Sequence, residues 1–246
     1  IGEGENTIVE LLQALEKDTE LNSVNGIVFR DNGKIINTKP RSYVENLDLL
    51  DFPLTNAPKV FKDFDKYPKE AFGYIFASRG CPYACTFCES KSMWTRKVRY
   101  RSPENVVAEL KQMSEFGINK VNFDDDTFGI SKKNIKTINN LMHDELPNMT
   151  YTCETVVQLA KDEDVVKDMK HGGCTATFVG IESGNNEILK KIKKTQTTDE
   201  CIQAMRNLEK HGIESHAFIM VGFPSETEET FKDTMDFIPK LKADSI

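Results

Sequence analysis

The sequence predicts an α/β fold of parallel strands joined by helical crossovers, an α/β barrel or an open sheet. Three observations carry this. From residue 73 onward, short apolar runs alternate with segments that have helix start and stop residues. A loop with the spacing C-x3-C-x2-C, made by Cys81, Cys85 and Cys88, follows directly on the first run. The other clusters of chemistry-bearing residues fall just after the later runs, where ligands sit in parallel α/β folds.

The elements follow in order. Residues 7–18 form an amphipathic helix, with Thr7 and Glu10 at capping-box spacing and Ile8, Leu11, Leu12 and Leu15 along one face. Residues 26–29 and 34–36 form a hairpin whose turn holds Asp31, Asn32 and Gly33, since Asn-Gly suits a tight primed turn. Residues 38–70 carry Pro40, Pro53, Pro58 and Pro68 with little periodicity and are expected to be a linker packed over a neighbour. A first, buried strand covers residues 73–78. Four more cover 120–123, 149–153, 174–179 and 215–221, and a sixth starts at 243–246. Between them, Ser102 and Pro103 open a helix that closes before Gly117, Ser131 starts another, and residues 162–171 end at Gly172. Thr197 with Glu200 caps a helix running to Gly212, and Ser225 with Glu228 caps the last.

With 246 residues and 39% hydrophobic content, the chain can bury a substantial core as one large domain or two small ones. The formal charge of −7 gives no global reason to bind nucleic acid or an anionic membrane, although a basic strip over residues 91–101 offers a local face for an anionic ligand. No apolar stretch approaches the roughly 20 residues of a membrane helix, and the start shows no signal-peptide pattern. Six cysteines are too sparse for a disulfide scaffold, which points to a reducing, cytoplasmic setting. The chain opens on Ile1 rather than Met and stops at Ile246 as an element begins, as an excerpt of something longer would.

Three close thiolates on one loop suit a soft metal or an iron–sulfur cluster, and three ligands leave a position open for chemistry. Zinc is the alternative, but a structural zinc site wants four ligands. Cys153, Cys174 and Cys201 lie in strands or a helix and are expected to be buried as small hydrophobes. After the second strand, Asp124, Asp125 and Asp126 either contact a cofactor or favour a helix start or a hard cation. Glu154 follows the third strand. Glu182 and Ser183 follow the fourth, flanked by Gly180 and Gly184, which would let backbone approach a ligand. Gly222, Phe223 and Pro224 mark the exit of the fifth. Trp94, Arg96, Arg99 and Arg101 are expected to serve surface packing and salt bridges. His143, His171 and His211 need no role, whereas His216 lies on a strand whose side chains can point into a barrel.

The cysteine loop, with Phe87 immediately before its last cysteine, resembles the signature of the radical S-adenosylmethionine (SAM) superfamily. Residues 180–184 (GIESG) followed by 188–191 (ILKK) resemble the fourth-strand motif of its cobalamin-associated branch, as do the runs ending at Phe128 and Glu226 and residues 99–103 (RYRSP). Residues 2–5 (GEGE) resemble the closing stretch of a cobalamin-binding domain. The resemblance implies a partial (β/α)6 TIM-like barrel over residues 71–246, preceded by a helix–hairpin–linker segment over 1–70 that is the tail of the earlier domain. One departure stands out: where the branch often has Glu-Thr-Arg, this chain has Glu154, Thr155 and Val156.

By that resemblance, Cys81, Cys85 and Cys88 hold a 4Fe-4S cluster whose fourth iron takes the amino and carboxylate groups of S-adenosylmethionine. Asp124, Asp125 and Asp126 would meet the methionine ammonium, and Glu182 and Ser183 the ribose or the methionine end. Phe87 and the Gly222, Phe223 and Pro224 backbone would border the adenine. The implied chemistry is cobalamin-dependent methylation of an unactivated centre, or else radical cyclisation, oxidation or rearrangement; most of the cobalamin pocket would lie outside this chain. An iron–sulfur or zinc-binding module without enzymatic activity is the non-enzyme alternative, and a tRNA methylthiotransferase is a further relative to exclude. The implied partners are a small-molecule substrate and an electron donor such as flavodoxin or ferredoxin, with no nucleic acid and no membrane span.

Overall fold

A computed structural model describes residues 2–246. Its N-terminal part packs around a small cluster of Ala14, Val24 and Ile27. Helix α1 (Glu5–Glu16) starts two residues earlier than the sequence predicts, and Gly4, not Thr7, is its N-cap. Thr7 does not cap it because its hydroxyl, buried within the first turn, donates to the Glu3 carbonyl at 3.1 Å. The expected apolar face lies largely in the open, with Ile8, Leu12 and Leu15 all exposed. The hairpin forms with its first strand shifted by two residues: β1 (Val28–Asp31) and β2 (Lys34–Asn37) pair antiparallel around Asn32 and Gly33, both at positive φ, with Asp31 in the ladder rather than the turn. Residues 38–70 are more structured than a linker. They hold three short 3-10 turns and α2 (Pro53–Val60), with Pro53 in the first turn, where its missing N–H costs nothing.

The first core strand is shorter than its apolar run. Only β3 (Tyr74–Ile75) joins the main sheet; the chain then turns out, and β4 (Ser78–Arg79) pairs antiparallel with β5 (Arg99–Tyr100). Asp125 is the physical reason. Its buried carboxylate accepts from the Ala77 amide at 2.9 Å and the Ser78 hydroxyl at 2.6 Å, pulling these residues off the sheet line. The β4–β5 ladder is thus the stem of a long loop that carries all three motif cysteines and the short α3 (Ser90–Trp94).

Helix α4 (Pro103–Phe116) follows, capped by Ser102 and closed by left-handed Gly117, and leads into β6 (Lys120–Phe123). Next come α5 (Lys132–Glu145), capped by Ser131, and β7 (Thr150–Thr155), which continues two residues past its predicted end. The short α6 (Val157–Ala160) and α7 (Glu163–His171) lead to β8 (Cys174–Glu182), three residues longer than predicted. Then α8 (Asn186–Lys191) and α9 (Thr198–Lys210), the latter with the predicted capping box of Thr197 and Glu200, precede β9 (Glu214–Ile219). The last helix, α10 (Glu228–Leu241), is capped by Thr227 with Thr230 rather than by Ser225 with Glu228.

The five core strands run β3-β6-β7-β8-β9, parallel at every pairing. Where a sixth strand is expected, Ser245 makes a single parallel bridge with His216. This is a partial (β/α) barrel. Its core is filled by strand residues and the inner faces of the helices, with Phe123, Phe128 and Tyr151 in mutual contact at 4.3–5.5 Å. Cys153, Cys174 and Cys201 are buried in that core as expected. Among the described residues, no helix is long and apolar enough to cross a membrane.

Candidate functional site

The carboxyl ends of the core strands and the cysteine loop enclose a cavity of about 190 Å³. All three motif thiols line it, each half-buried and free of disulfides. The loop is held from several sides. The Gly80 amide donates to Asp126 at 3.1 Å, the Thr86 amide donates to the Ile192 carbonyl at 3.0 Å, and Cys81 Sγ lies 3.6 Å from Thr127 Oγ1. Burial pushes the Cys85 thiol above its ordinary pKa, against the pull of nearby Lys194, while the neighbouring Cys81 and Cys88 add to the rise. A bound cation or metal centre would relieve that penalty, because ligation demands the thiolate.

The donor set fits an iron–sulfur cluster. Three cysteine thiols line one cavity; in a cluster each thiolate takes its own iron, whereas a structural zinc site wants four protein ligands.

The remaining walls come from strand ends. Asp126 and Glu154 lie on one side, and burial together with Asp124 and Asp126 raises the Glu154 carboxyl above its usual range. Glu182 and Lys194 lie on the other, paired at 3.0 Å with both side chains largely buried. Glu182 owes its aim to a break in the β8–β9 register between Gly180 and Glu182 and to its own φ of 69°, rare for a side chain of this size. The roof is apolar: Val156, Phe178 and Phe218 line it, and Phe178 stacks on both Phe218 and His216. His216 therefore does face the barrel side of its strand. Where the branch pattern has arginine, this wall presents Val156, and the cations of the lining are Lys193 and Lys194.

Several predicted residues lie elsewhere. Asp125 is turned away from the cavity into the packing beneath, because both its oxygens hold the β4 stem. Ser183 is fully buried against α10, its hydroxyl 3.1 Å from that of Thr234. Asp124 is exposed and does not line the cavity. Gly222 and Pro224 stand at the surface beyond β9, and Phe223 reaches the site only indirectly, packing on Phe87 with ring centroids 5.8 Å apart. Gly180 and Gly184 make room for protein side chains. A Cβ on Gly180 would come within 2.6 Å of Glu182 and 2.7 Å of Lys194, and one on Gly184 within 2.5 Å of Phe237.

The strip at residues 91–101 is neutralised in part, with Lys91 and Arg96 left exposed. Arg99 is buried and bound to Glu3, Arg101 to Glu109, and Lys97 to Glu45, so the surface placement expected of the first two does not hold. Trp94 supports the Arg79 guanidinium at 5.6 Å. Lys193, Lys194 and the aromatic roof line the cavity and are residues that sequence reasoning passed over. Lys194 had a signal: Asn185 is a good N-cap, and the short helix it starts returns the lysines after it to the cysteine loop.

Comparison with known proteins agrees with this geometry. The profile of the radical SAM superfamily matches residues 75–238, and the chain belongs to that superfamily. It is 36% identical, over 99% of its length and 52% of the relative's, to an uncharacterized methyltransferase of Pyrococcus horikoshii. It is 29% identical, over 98% of its length and 47% of the relative's, to the anaerobic magnesium-protoporphyrin IX monomethyl ester cyclase of a Synechocystis species. The chain thus spans about half the length of these curated relatives. Among solved structures, its fold matches the radical S-adenosylmethionine methyltransferase TsrM of Kitasatospora setae, bound to cobalamin and a [4Fe-4S] cluster. The TM-score is 0.79 at 19% identity, over 98% of this chain and 49% of that one.

Proposed function

We propose that this chain is the catalytic core of a radical SAM methyltransferase that works with cobalamin. Residues 2–70 are then the tail of a preceding domain and its connection, and residues 71–246 the core. The observation that carries the reading is the arrangement of three half-buried thiols around the same cavity as Asp126, Glu154, Glu182 and Lys194. Cys81, Cys85 and Cys88 would hold a 4Fe-4S cluster, which would supply one-electron reduction of S-adenosylmethionine.

The walls suit that cofactor. S-adenosylmethionine carries two positive groups and one carboxylate. Asp126 and Glu154 form an acidic wall, with Asp124 close enough to add to the charge, and a cation there offsets the burial and repulsion that raise Glu154. Lys194 is placed for the carboxylate, and Glu182 for the ammonium or the ribose hydroxyls. Phe87, braced by Phe223, and the Phe178–Phe218 roof offer flat apolar faces to the adenine. Asp125 and Ser183 act behind this wall and not on the cofactor.

Anaerobic reconstitution of the full-length protein tests the reading. Cys85→Ala is expected to lose both the brown chromophore and reductive cleavage of S-adenosylmethionine; a variant that keeps both contradicts it. The cyclase relative favours a second outcome, ring formation by hydrogen abstraction. Methyl transfer from methylcobalamin to added substrate supports the first reading, while 5′-deoxyadenosine without methyl transfer supports the second.

A further inference from the structure

A groove of about 500 Å³ runs beside the first core strand and shares no lining residue with the thiol-lined cavity. One wall is the stretch leading into α2, with Leu49, Leu50, Phe52 and Pro53; the other is residues 74–76, that is β3 and its next residue. Three consecutive residues line it although the Ile75 side chain is buried in the core, so the groove borders the edge of the strand and not one of its faces. That edge is open. β3 ends the five-stranded sheet, and among the described residues no strand pairs on its outer side. The Gly73 and Ile75 carbonyls accept from the Asn122 and Asp124 amides, so these residues face β6. Tyr74, between them, turns its N–H and C=O toward the groove. Natural proteins rarely leave such an edge bare. At the opposite end of the sheet, β9 already has a neighbour in Ser245.

The charged groups of the lining largely satisfy one another. Arg79 is bound by Glu3 and Glu5, and Arg101 by Glu109, while Asp51 is exposed. Arg101 also donates to the Phe76 carbonyl at 2.9 Å and lies over the Phe52 ring at 5.6 Å, which ties the two walls together. The groove therefore holds its shape through its own bonds, and its cations are already paired. A small apolar ligand would fill the walls and leave the Tyr74 main chain unmatched. An anion would meet closed ion pairs. An extended peptide matches both features, because its amides pair with a strand edge while alternate side chains enter apolar walls.

We propose that this groove binds an extended, uncharged peptide segment of a separate molecule by strand addition to the outer edge of β3. Walls that are preformed and self-satisfied suit an occupant that arrives and leaves, as a separate molecule does. The groove also leads somewhere. From residues 74–76 the chain runs on through Ala77 and Ser78 to Arg79, the lining residue that stands two positions before Cys81. A peptide laid along β3 thus has one end at the foot of the cysteine loop. Peptide binding here does not depend on the radical SAM reading, and it makes or breaks no covalent bond.

The test is fluorescence anisotropy on the full-length protein, with a fluorescein-labelled peptide of alternating valine and threonine, about six residues long. Wild type should bind it with a Kd below about 1 mM. Two versions of the peptide, N-methylated at every second amide in opposite phases, report on the main chain. The version blocked on the pairing edge should bind about tenfold more weakly, and the other like the parent. Leu49→Asp in the groove wall should weaken binding about tenfold, whereas Ile35→Asp on the distant hairpin should leave it unchanged. Leu49 and Ile35 are 79% and 64% exposed, so neither change threatens the fold. No binding by wild type, equal binding of the two N-methylated versions, or equal loss in both variants overturns the proposal. So does a Tyr74 amide already protected from hydrogen exchange without peptide, which would mean that the protein's own chain or a second copy fills the groove.

Discussion

Glu182 shows how one side chain's direction can be set by its neighbours. A register break swings it off the sheet, a left-handed backbone aims it, and Lys194 balances its charge. Gly180 leaves the space in which that pair meets. Gly180→Ala would push against the flexible ends of two side chains rather than against backbone, so it should cost little stability, about 1 kcal/mol or less. It should nevertheless weaken S-adenosylmethionine binding several-fold, measured by equilibrium dialysis; unchanged affinity would show that the pair is not part of the cofactor site. Asp125 gives a second prediction. Burial, opposed by hydrogen bonds from Ser78 and Ala77, raises its carboxyl to about 6. The native state therefore holds the proton more tightly than the unfolded chain, whose aspartates ionise near pH 4. Its contribution is complete below about pH 4 and is lost as pH rises through about 6, a change of about 3 kcal/mol. The stability of the apoprotein relative to Asp125→Asn, from denaturant unfolding, should fall over that window; a flat or rising difference contradicts this. The cysteines and Glu182 were legible as residue types at strand ends. The outward turn of Asp125 and Ser183 was not, because three consecutive aspartates in sequence do not reveal which of them the packing beneath will claim.

At the scale of elements, local chemistry was legible where it acts alone. The Ser102, Ser131 and Thr197 caps, the Asn32–Gly33 turn and the Gly117 stop each satisfy backbone groups within a few residues, and each is where the sequence places it. Capping failed where a competing local partner won. Thr7 bonds back to Glu3, and Thr227 rather than Ser225 caps α10, whose first turn then pairs Thr227 with Thr230. The split of the first apolar run into β3 and β4 depends on a side chain nearly fifty positions away in sequence, which no local pattern records. The approach of α10 to the β8 exit is equally tight: a Cβ on Gly184 would stand 2.5 Å from Phe237 and 2.8 Å from the Thr234 backbone. Because backbone cannot yield as a side-chain tip can, Gly184→Ala should destabilise by about 1–3 kcal/mol, visible as a lowered denaturant midpoint. A neutral effect would mean that α10 is free to shift.

Across the whole molecule, the first residues are fastened to the cysteine loop. The Glu3 carboxylate is bound by Arg79 at 2.6 Å, by Arg99 at 2.9 Å and by the Val44 amide at 2.6 Å, and Glu5 holds the other side of Arg79. Burial opposes ionisation of Glu3, but these donors outweigh it and hold its carboxyl below the usual range. Arg79 stands two residues before Cys81, so an acidic stretch at the start of the chain braces the stem of the cysteine loop. Glu3→Ala would leave the buried Arg99 guanidinium without a carboxylate and Arg79 with Glu5 alone, at a cost of about 3 kcal/mol. Far-UV thermal melts of the apoprotein should show the loss, and Glu3→Gln should recover part of it; a melt unchanged by Glu3→Ala would refute the bracing role. Contacts spanning the chain in this way are invisible to pattern reading. The alternation that announced parallel strands was visible because each unit repeats it.

The most direct measurement is electron paramagnetic resonance of the anaerobically reconstituted, reduced full-length protein, with and without S-adenosylmethionine. A site with three thiolate ligands and one open iron should give the signal of a reduced four-iron, four-sulfur cluster that shifts when S-adenosylmethionine is added, with both features lost in Cys85→Ala. A cluster signal indifferent to S-adenosylmethionine, or a protein that takes up zinc and forms no cluster, would contradict the account.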